Sequence, residues 1–556
     1  MSLLFKNPFK SKNDTVVVED VEHSETPYII SSVFYIVVVL LIGMPMWFYT
    51  CSTTRYSLPD LAKLDAKLND PTLRLQLDLS VILLSNHMPY DPDLAVQLRA
   101  QLPNYLETQV TNVTYNVNWR IRRPTQDETK IFKATKKHND NYSATDSTIA
   151  LKELDQNLVK IHRPTNRFRL FFYILDEDSI VCQSLDTYTL SFERFVYICS
   201  SKNSDSLVKL ISDALDETYR TTVDSKRIKG LLPAQTDLLI SLVPEPEGLD
   251  VTRLTKIADQ VITVHRKNLK DSIPELTELL NIKLITQNVF ELLDQNLLGK
   301  ILKKPLKKTN SSNSTRPDSR QVELSNMGQF FHSYESRINK HSSQNVNHVV
   351  VIVPDKNKVP ILLRQTNGEK ISFLEGPNFN FVLIANNDKS LVLSLRAVIR
   401  RIVGLAAADL SHNCRAHKNV FITRWEIDAL VGALTIHKLQ STLRSIHSIS
   451  QQSIGIRIPK YVAAVAREAR DNAIESIENL EANKNLESYR LAGKAYELSE
   501  SAYYDPYLLE TNYFPDELKY AIYLPLFLPL VFPFFLSLGR VLKFLFGAKS
   551  RKEKAD

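Results

Sequence analysis

The stretch YAIYLPLFLPLVFPFFLSLG, residues 520–539, has no charged side chain between Lys519 and Arg540. A second such stretch, YIISSVFYIVVVLLIGMPMWFY, residues 28–49, is uncharged between Glu25 and Arg55. At about 1.5 Å rise per residue, a helix of either length crosses a hydrocarbon core of about 30 Å. Two spans put both termini on one side of a membrane and the long polar middle on the other. The expected organisation is a tail 1–27, a transmembrane helix 28–50, a domain 51–455, a helical segment 456–519, a transmembrane helix 520–546 and a basic tail 547–556.

The sides follow from charge. After the second span come Arg540, Lys543, Lys549, Arg551, Lys552 and Lys554 against only Glu553 and Asp556. Basic flanks stay cytosolic, so both termini are expected in the cytosol and the bulk in a lumen. Four sequons fall in that bulk, at Asn112, Asn141, Asn310 and Asn313, and are glycosylation candidates. Asn13-Asp14-Thr15 lies in the expected cytosolic tail and stays bare. Bulky Trp47-Phe48-Tyr49 at the end of the first span argue for an uncleaved anchor, because signal cleavage wants small residues. Lys552 and Lys554 stand fifth and third from the carboxyl end, the spacing of a dilysine signal for retrieval to the endoplasmic reticulum.

Composition is that of a globular protein, 44% apolar and 24% charged. The net charge of +7 is mostly the tail, whose six cations and two anions give +4. Charge therefore gives no case for a nucleic-acid partner. Cys51, Cys182, Cys199 and Cys414 make no disulfide framework in 556 residues. A buried thiol is expected for each, with a Cys182–Cys199 pair as the alternative.

The expected fold is an α/β (mixed α+β) lumenal domain with a helical C-terminal segment, flanked by two transmembrane helices. Leu73, Leu75, Leu77, Leu79 and Val81 alternate with polar residues and predict a strand. Asp93 is the expected cap of a helix to Leu102, and Val113 to Trp119 alternate again: strand, helix, strand. Further strands are expected at Phe168–Leu175, Ile180–Cys182, Phe195–Cys199, Leu238–Val243, Val349–Val353 and Phe379–Ala385. Helices are expected at Ser206–Tyr219, Val251–His265, Leu391–Ile402 and Arg424–Ile449. A polar linker covers about 303–320. Two antiparallel helices, Tyr461–Leu480 and Leu486–Ser501, lead towards the second span, and no internal repeat is evident.

The sequence contains no H-E-x-x-H, G-x-S-x-G, P-loop or G-x-G-x-x-G. His412, Cys414 and His417 offer three metal ligands at irregular spacing, with no second cluster to complete a tetrahedron. Trp119 to Pro124 is a basic patch with an aromatic, read as a solvated strand end, with a phosphate or glycan site as the alternative. No catalytic residue, metal or cofactor is expected.

The second span says more. Pro525, Pro529 and Pro533 recur every four residues and share one helix face. None can donate to the carbonyl four positions earlier, at Ala521, Pro525 and Pro529. Such carbonyls are costly in lipid, so the stripe is expected to pack against other membrane subunits.

The run Tyr513 to Pro529, with Ala502-Tyr503-Tyr504-Asp505-Pro506 before it, resembles the C-terminal signature of the PIG-S family. Ile42 to Trp47 and Thr53 to Pro59 resemble the family's first span and its exit. The resemblance covers the whole chain. It implies a non-catalytic subunit of the endoplasmic-reticulum transamidase that attaches glycosylphosphatidylinositol (GPI) anchors to proprotein C-termini. It also implies that catalysis lies in PIG-K, and that the partners are PIG-K, PIG-T, PIG-U, the anchor-attachment subunit and membrane lipid. The alternatives are a lumenal cargo or glycan receptor and an unrecognised lumenal hydrolase or transferase.

Overall fold

A computed structural model describes residues 26–51, 56–68, 75–85, 91–109, 113–137, 144–162, 167–176, 182, 188–199, 204–228, 235–245, 251–264, 281–290, 302–303, 320–322, 334, 346–355, 361–364, 370–376, 380–406, 421–452, 458–508 and 516–552. The chain forms two compact units. One holds the residues up to Ser57, Gln452–Lys460 and those from Tyr504 on; the other holds Leu58–Gln451 and Tyr461–Tyr503.

In the first unit, the N-terminal span is helical from Thr26 to Cys51: α1 (Thr26–Val38), a π-helical turn (Val39–Gly43) and α2 (Met44–Cys51). The wide turn precedes Pro45, which has no N–H for the Leu41 carbonyl. Met44 donates to Val39, five residues back. The C-terminal membrane helix runs unbroken from Asp516 to Lys552 through all three prolines. Both contain windows apolar enough to cross a membrane, Pro27–Met46 and Leu528–Phe546.

The second unit opens with α3 (Ala62–Leu68), whose Leu64 and Leu68 pack with Leu439, Ala473 and Ala492. A six-stranded sheet follows, built from β1 (Leu75–Leu83), β2 (Tyr105–Glu107), β3 (Thr114–Arg122), β4 (Phe168–Leu175), β5 (Tyr188–Leu190) and β6 (Phe195–Cys199). Its order is β2-β3-β1-β4-β6-β5, with β3, β1, β4 and β6 parallel and both edge strands antiparallel. The helices of this half are α4 (Pro92–Gln101), α5 (Gln126–Lys137), α6 (Ala144–Ile161) and α7 (Ser204–Leu215), with the short α8 (Ser225–Ile228) beyond.

A second sheet repeats the β3-β1-β4-β6-β5 part of that order, without a counterpart of β2. It consists of β7 (Gln235–Pro244), β8 (Asn281–Asn288), β11 (Val346–Val353), β14 (Leu374–Glu375) and β15 (Asn380–Ile384), arranged β14-β15-β11-β7-β8. As β1 sits between β3 and β4, the leading strand β7 sits between β8 and β11. Like β5 on β6, β14 folds antiparallel onto β15. Helix α9 (Val251–Val264) follows β7 as α4 follows β1, and α10 (Asp388–Ile402) follows β15 as α7 follows β6. The expectation of no internal repeat is therefore corrected. The duplication lies in strand order, a non-local property that needs no shared motif in the sequence. Four short strands, β9 (Leu302–Lys303), β10 (Arg320–Val322), β12 (Ile361–Arg364) and β13 (Lys370–Ile371), make a third sheet. The polar linker runs between β9 and β10, and its residues 304–319 lie outside the described ones.

One face of each large sheet enters a shared core. Leu77, Leu79, Leu170 and Phe172 of the first sheet and Leu238, Leu242, Val349 and Val351 of the second belong to one buried cluster. Helix α11 (Arg424–Gln452) adds Trp425, Leu430 and Leu434 to it. Gly432 lets α11 approach closely, because a Cβ there would stand 2.7 Å from the Tyr115 hydroxyl and 2.8 Å from a Leu75 methyl. The opposite faces are covered too. Ile82, Tyr173 and Tyr197 pack with Leu151, Leu154 and Leu158 of α6, and Val350, Ile352 and Val382 pack with Tyr334 and Ile361. Burial on both faces explains the continuous apolar runs at Leu170–Leu175 of β4 and along β6.

Helices α12 (Lys460–Glu481) and α13 (Asn485–Tyr503) form the expected pair. Their turn places Asn483 at φ 60°, a left-handed position that asparagine tolerates. Ser476 and Ser488 each donate to the other's carbonyl at 2.7 Å.

Three local expectations change. Asp91, not Asp93, caps α4, its side chain accepting from the Asp93 N–H. Pro92 then takes the first helical position, where its missing N–H costs nothing. Cys182 is helical rather than on a strand, and Ile180 lies outside the described residues. Cys182 and Cys199 form a disulfide instead of remaining thiols, their Cα atoms 5.6 Å apart. Cys199 ends β6 beside Leu175 of β4, and the chain leaving β4 brings Cys182 back within bridging reach.

Candidate membrane interface

The two candidate membrane helices meet along a stripe of each. On the N-terminal span, Ser32 is 5% exposed, and Ile29, Tyr35, Ile36 and Val39 are half-buried around it. These positions recur at helical spacing. Ser32 donates its hydroxyl to the Tyr28 carbonyl at 2.8 Å, so its polar group is satisfied within its own helix. A small side chain here allows close approach of the neighbouring helix. On the C-terminal helix the half-buried positions are Phe534, Ser537, Leu538 and Val541, spaced i, i+3, i+4 and i+7. Leu530 is one turn earlier on the same line. Its carbonyl accepts a hydrogen bond from the Tyr35 hydroxyl at 2.9 Å.

The prolines lie elsewhere. At about 100° per residue, Pro525, Pro529 and Pro533 centre about 130° around the helix from the stripe that meets the first span. All three are exposed. Sequence reasoning found these prolines by their period but missed Tyr35 and Ser32, whose polar groups inside an otherwise apolar run were the available signal. Lys552 is the last residue of the C-terminal helix. Lys554, Asn112, Asn141, Asn310 and Asn313 lie outside the described residues, as do His412, Cys414 and His417.

The buried charges of the second unit hold elements together. Helix α5 begins at a Thr125–Glu128 capping box: the Thr125 N–H donates to Glu128 at 2.7 Å and the Glu128 N–H to the Thr125 hydroxyl at 3.3 Å. Arg122 from β3 grips the same carboxylate through two 2.7 Å bonds, and His162 Nε2 and the Tyr173 hydroxyl reach it at 2.9 and 3.1 Å. Burial alone would raise the Glu128 carboxyl, but the bonds from Arg122, His162 and Thr125 outweigh it and hold it well below the usual carboxylate range. Helix α11 begins the same way, with Thr423 and Glu426 bonded reciprocally and Arg400 of α10 on the carboxylate at 2.6 and 3.0 Å. Arg194 pairs with Asp428 at 2.6 and 2.7 Å, tying the turn between β5 and β6 to α11. Among the described residues, no group of three or more His, Cys, Asp or Glu has the arrangement to hold a metal ion.

Comparison with known proteins identifies the family. The family model described as PIG-S: Phosphatidylinositol-glycan biosynthesis class S protein matches residues 34–547, from the first span through the second. The chain is 21% identical over 572 residues to the GPI-anchor transamidase component PIGS of Mus musculus, covering 95% of this chain and 97% of the mouse protein. It is 22% identical over 575 residues to the protein of the same name in Homo sapiens, with the same coverage, and likewise to that of Bos taurus.

Proposed function

The chain belongs to the PIG-S family, and on that premise we propose that it is a non-catalytic subunit of the GPI transamidase, a two-anchor scaffold of the endoplasmic-reticulum membrane. The observation that carries the reading is the extent of the family match, which runs from within the first apolar helix, across the folded unit, to within the last. Relatives named GPI-anchor transamidase component PIGS are covered over 97% of their length. The subunit's task is to hold the assembly together while another subunit, PIG-K, cleaves the proprotein and joins it to the lipid. PIG-T, PIG-U and the anchor-attachment subunit complete the set of partners.

The orientation follows from charge. Cations after Phe546 keep both termini cytosolic, so the duplicated α/β unit faces the lumen. A lumenal setting suits the Cys182–Cys199 disulfide, which a reducing cytosol disfavours. The sequons at Asn112, Asn141, Asn310 and Asn313 are then open to glycosylation, and Lys552 and Lys554 to retrieval machinery.

Depletion of the chain tests the function. Cells lacking it should accumulate uncleaved GPI-signal reporter precursors, and re-expression should restore anchored reporter. Normal anchoring without the chain contradicts the reading. Protease added outside sealed microsomes should spare the residues between the spans; their digestion contradicts the orientation.

A further inference from the structure

Three carbonyls in the C-terminal membrane helix, those of Ala521, Pro525 and Pro529, face residues four positions on that have no N–H. Lipid chains offer no replacement donor, and an unsatisfied carbonyl in hydrocarbon is costly. Depth makes the need acute. The Tyr35–Leu530 bond sets Leu530 level with Tyr35, near the middle of the Pro27–Met46 window, so the part of the C-terminal helix level with that window is about residues 519–538 and begins ahead of the Leu528–Phe546 window. Pro529 is adjacent to Leu530, and Pro525 lies within about 8 Å of it along the axis at about 1.5 Å per residue. Headgroups and bulk water are therefore out of reach of these two carbonyls; that of Ala521 lies nearer the surface. The N-terminal span is committed to another face, about 130° away, and the proline side chains are exposed.

We propose that the Pro525–Pro529–Pro533 stripe receives a membrane-spanning helix of another protein, which donates side-chain hydroxyl or amide hydrogen bonds to the carbonyls of Pro525 and Pro529. The proposal rests on the reading of the chain as a subunit of a membrane assembly and names the chemistry of one contact. This helix already accepts such a donor: Tyr35 gives its hydroxyl to Leu530, whose carbonyl also has the Phe534 N–H four residues on. The carbonyls under the prolines lack even that N–H. A donor at mid-membrane depth is a side chain of another helix, so the occupant carries Ser, Thr, Tyr, Asn or Gln facing the stripe. The interface continues around the same helix from the contact with the first span, so one helix would be held between two neighbours.

A photoreactive residue at Leu536 tests this in intact membranes containing the full chain. Leu536 is 54% exposed and lies on the proline stripe, whereas Phe535, 63% exposed, faces away from both contacts. The expected result is a protein adduct with a different membrane subunit at Leu536 and lipid adducts alone at Phe535. Replacing Pro525, Pro529 and Pro533 together with Leu restores the missing N–H groups. It should cut the Leu536 protein adduct by about tenfold while resistance to alkaline extraction stays unchanged. Lipid-only adducts at Leu536, an adduct with a second copy of this chain, or equal adduct yield from the triple variant would overturn the proposal. Capture is read in membranes and subunit composition after detergent extraction, so the failures separate. Lipid-only adducts with transamidase subunits still co-purifying overturn the proposal and spare the family reading.

Discussion

The Tyr35 hydroxyl donates to the Leu530 carbonyl at 2.9 Å, joining residues 495 positions apart in the chain. This bond fixes the relative depth of the two membrane helices, and it shows a side chain of one helix serving the backbone of another. Tyr35→Phe removes the hydroxyl and keeps the ring. Bonds of this kind in membranes contribute about 0.6 kcal/mol. The variant should insert normally and lower the SDS-titration midpoint of the full chain slightly. An unchanged midpoint would assign the pairing to packing around Ser32 alone.

Gly432 is a steric prediction. A methyl at this position meets Tyr115 and Leu75 well inside contact distance, and both are buried strand residues with little freedom to move. Gly432→Ala should destabilise the folded unit by about 1–3 kcal/mol, read as a lower thermal midpoint of the purified full chain. A midpoint equal to the parent's would mean that α11 is not seated on the first sheet as described.

Lys438 gives a pH signature. Its amine lies 3.0 Å from the Tyr489 hydroxyl and 4.2 Å from that ring's centroid. Burial pushes its pKa down to about 8, against an opposing pull from Glu497. The folded value is below the unfolded one, so the unfolded chain holds more protons between them. Stability should therefore rise as pH climbs from about 8 towards 10.5, and the full penalty is present below 8. Lys438→Met removes this contribution, worth about 3 kcal/mol at most, and should be more stable than the parent at pH 7. Parallel denaturation profiles of parent and variant across that interval would contradict it.

The Cys182–Cys199 bridge closes a loop with a sequence separation of 17. Replacing both with Ser should cost about 3 kcal/mol on the chain-entropy account, measured by denaturant unfolding. The unsubstituted chain should lose a similar amount on reduction, and reduction should not affect the variant. Equal sensitivity of both to reductant would show that the bridge is absent.

Much of the architecture is legible in the sequence because its causes are local. A run of 20 residues without charge reads as a span whatever it packs against. The alternation of Leu75 to Val81 and the apolar run at Phe168–Leu175 are both strands. The Thr125 and Thr423 capping boxes have a readable Thr-x-x-Glu pattern, but the arginines that clamp them come from other elements and have no such signature. Strand order is set by contacts between distant segments, which is why the duplicated sheets leave no local trace. The Cys182–Cys199 pair is legible only as the alternative to buried thiols for the same reason: it depends on contacts between segments, not on the neighbours of either cysteine. Periodicity identifies the proline stripe, whereas the Tyr35 contact needs the pairing of two helices from opposite ends of the chain.

The most direct test of the account is purification of the tagged full chain from mild detergent, followed by mass spectrometry of what comes with it. A scaffold subunit of the transamidase should bring PIG-K, PIG-T, PIG-U and the anchor-attachment subunit with it in stoichiometric yield. Recovery of the chain alone, or with an unrelated set of partners, would contradict it.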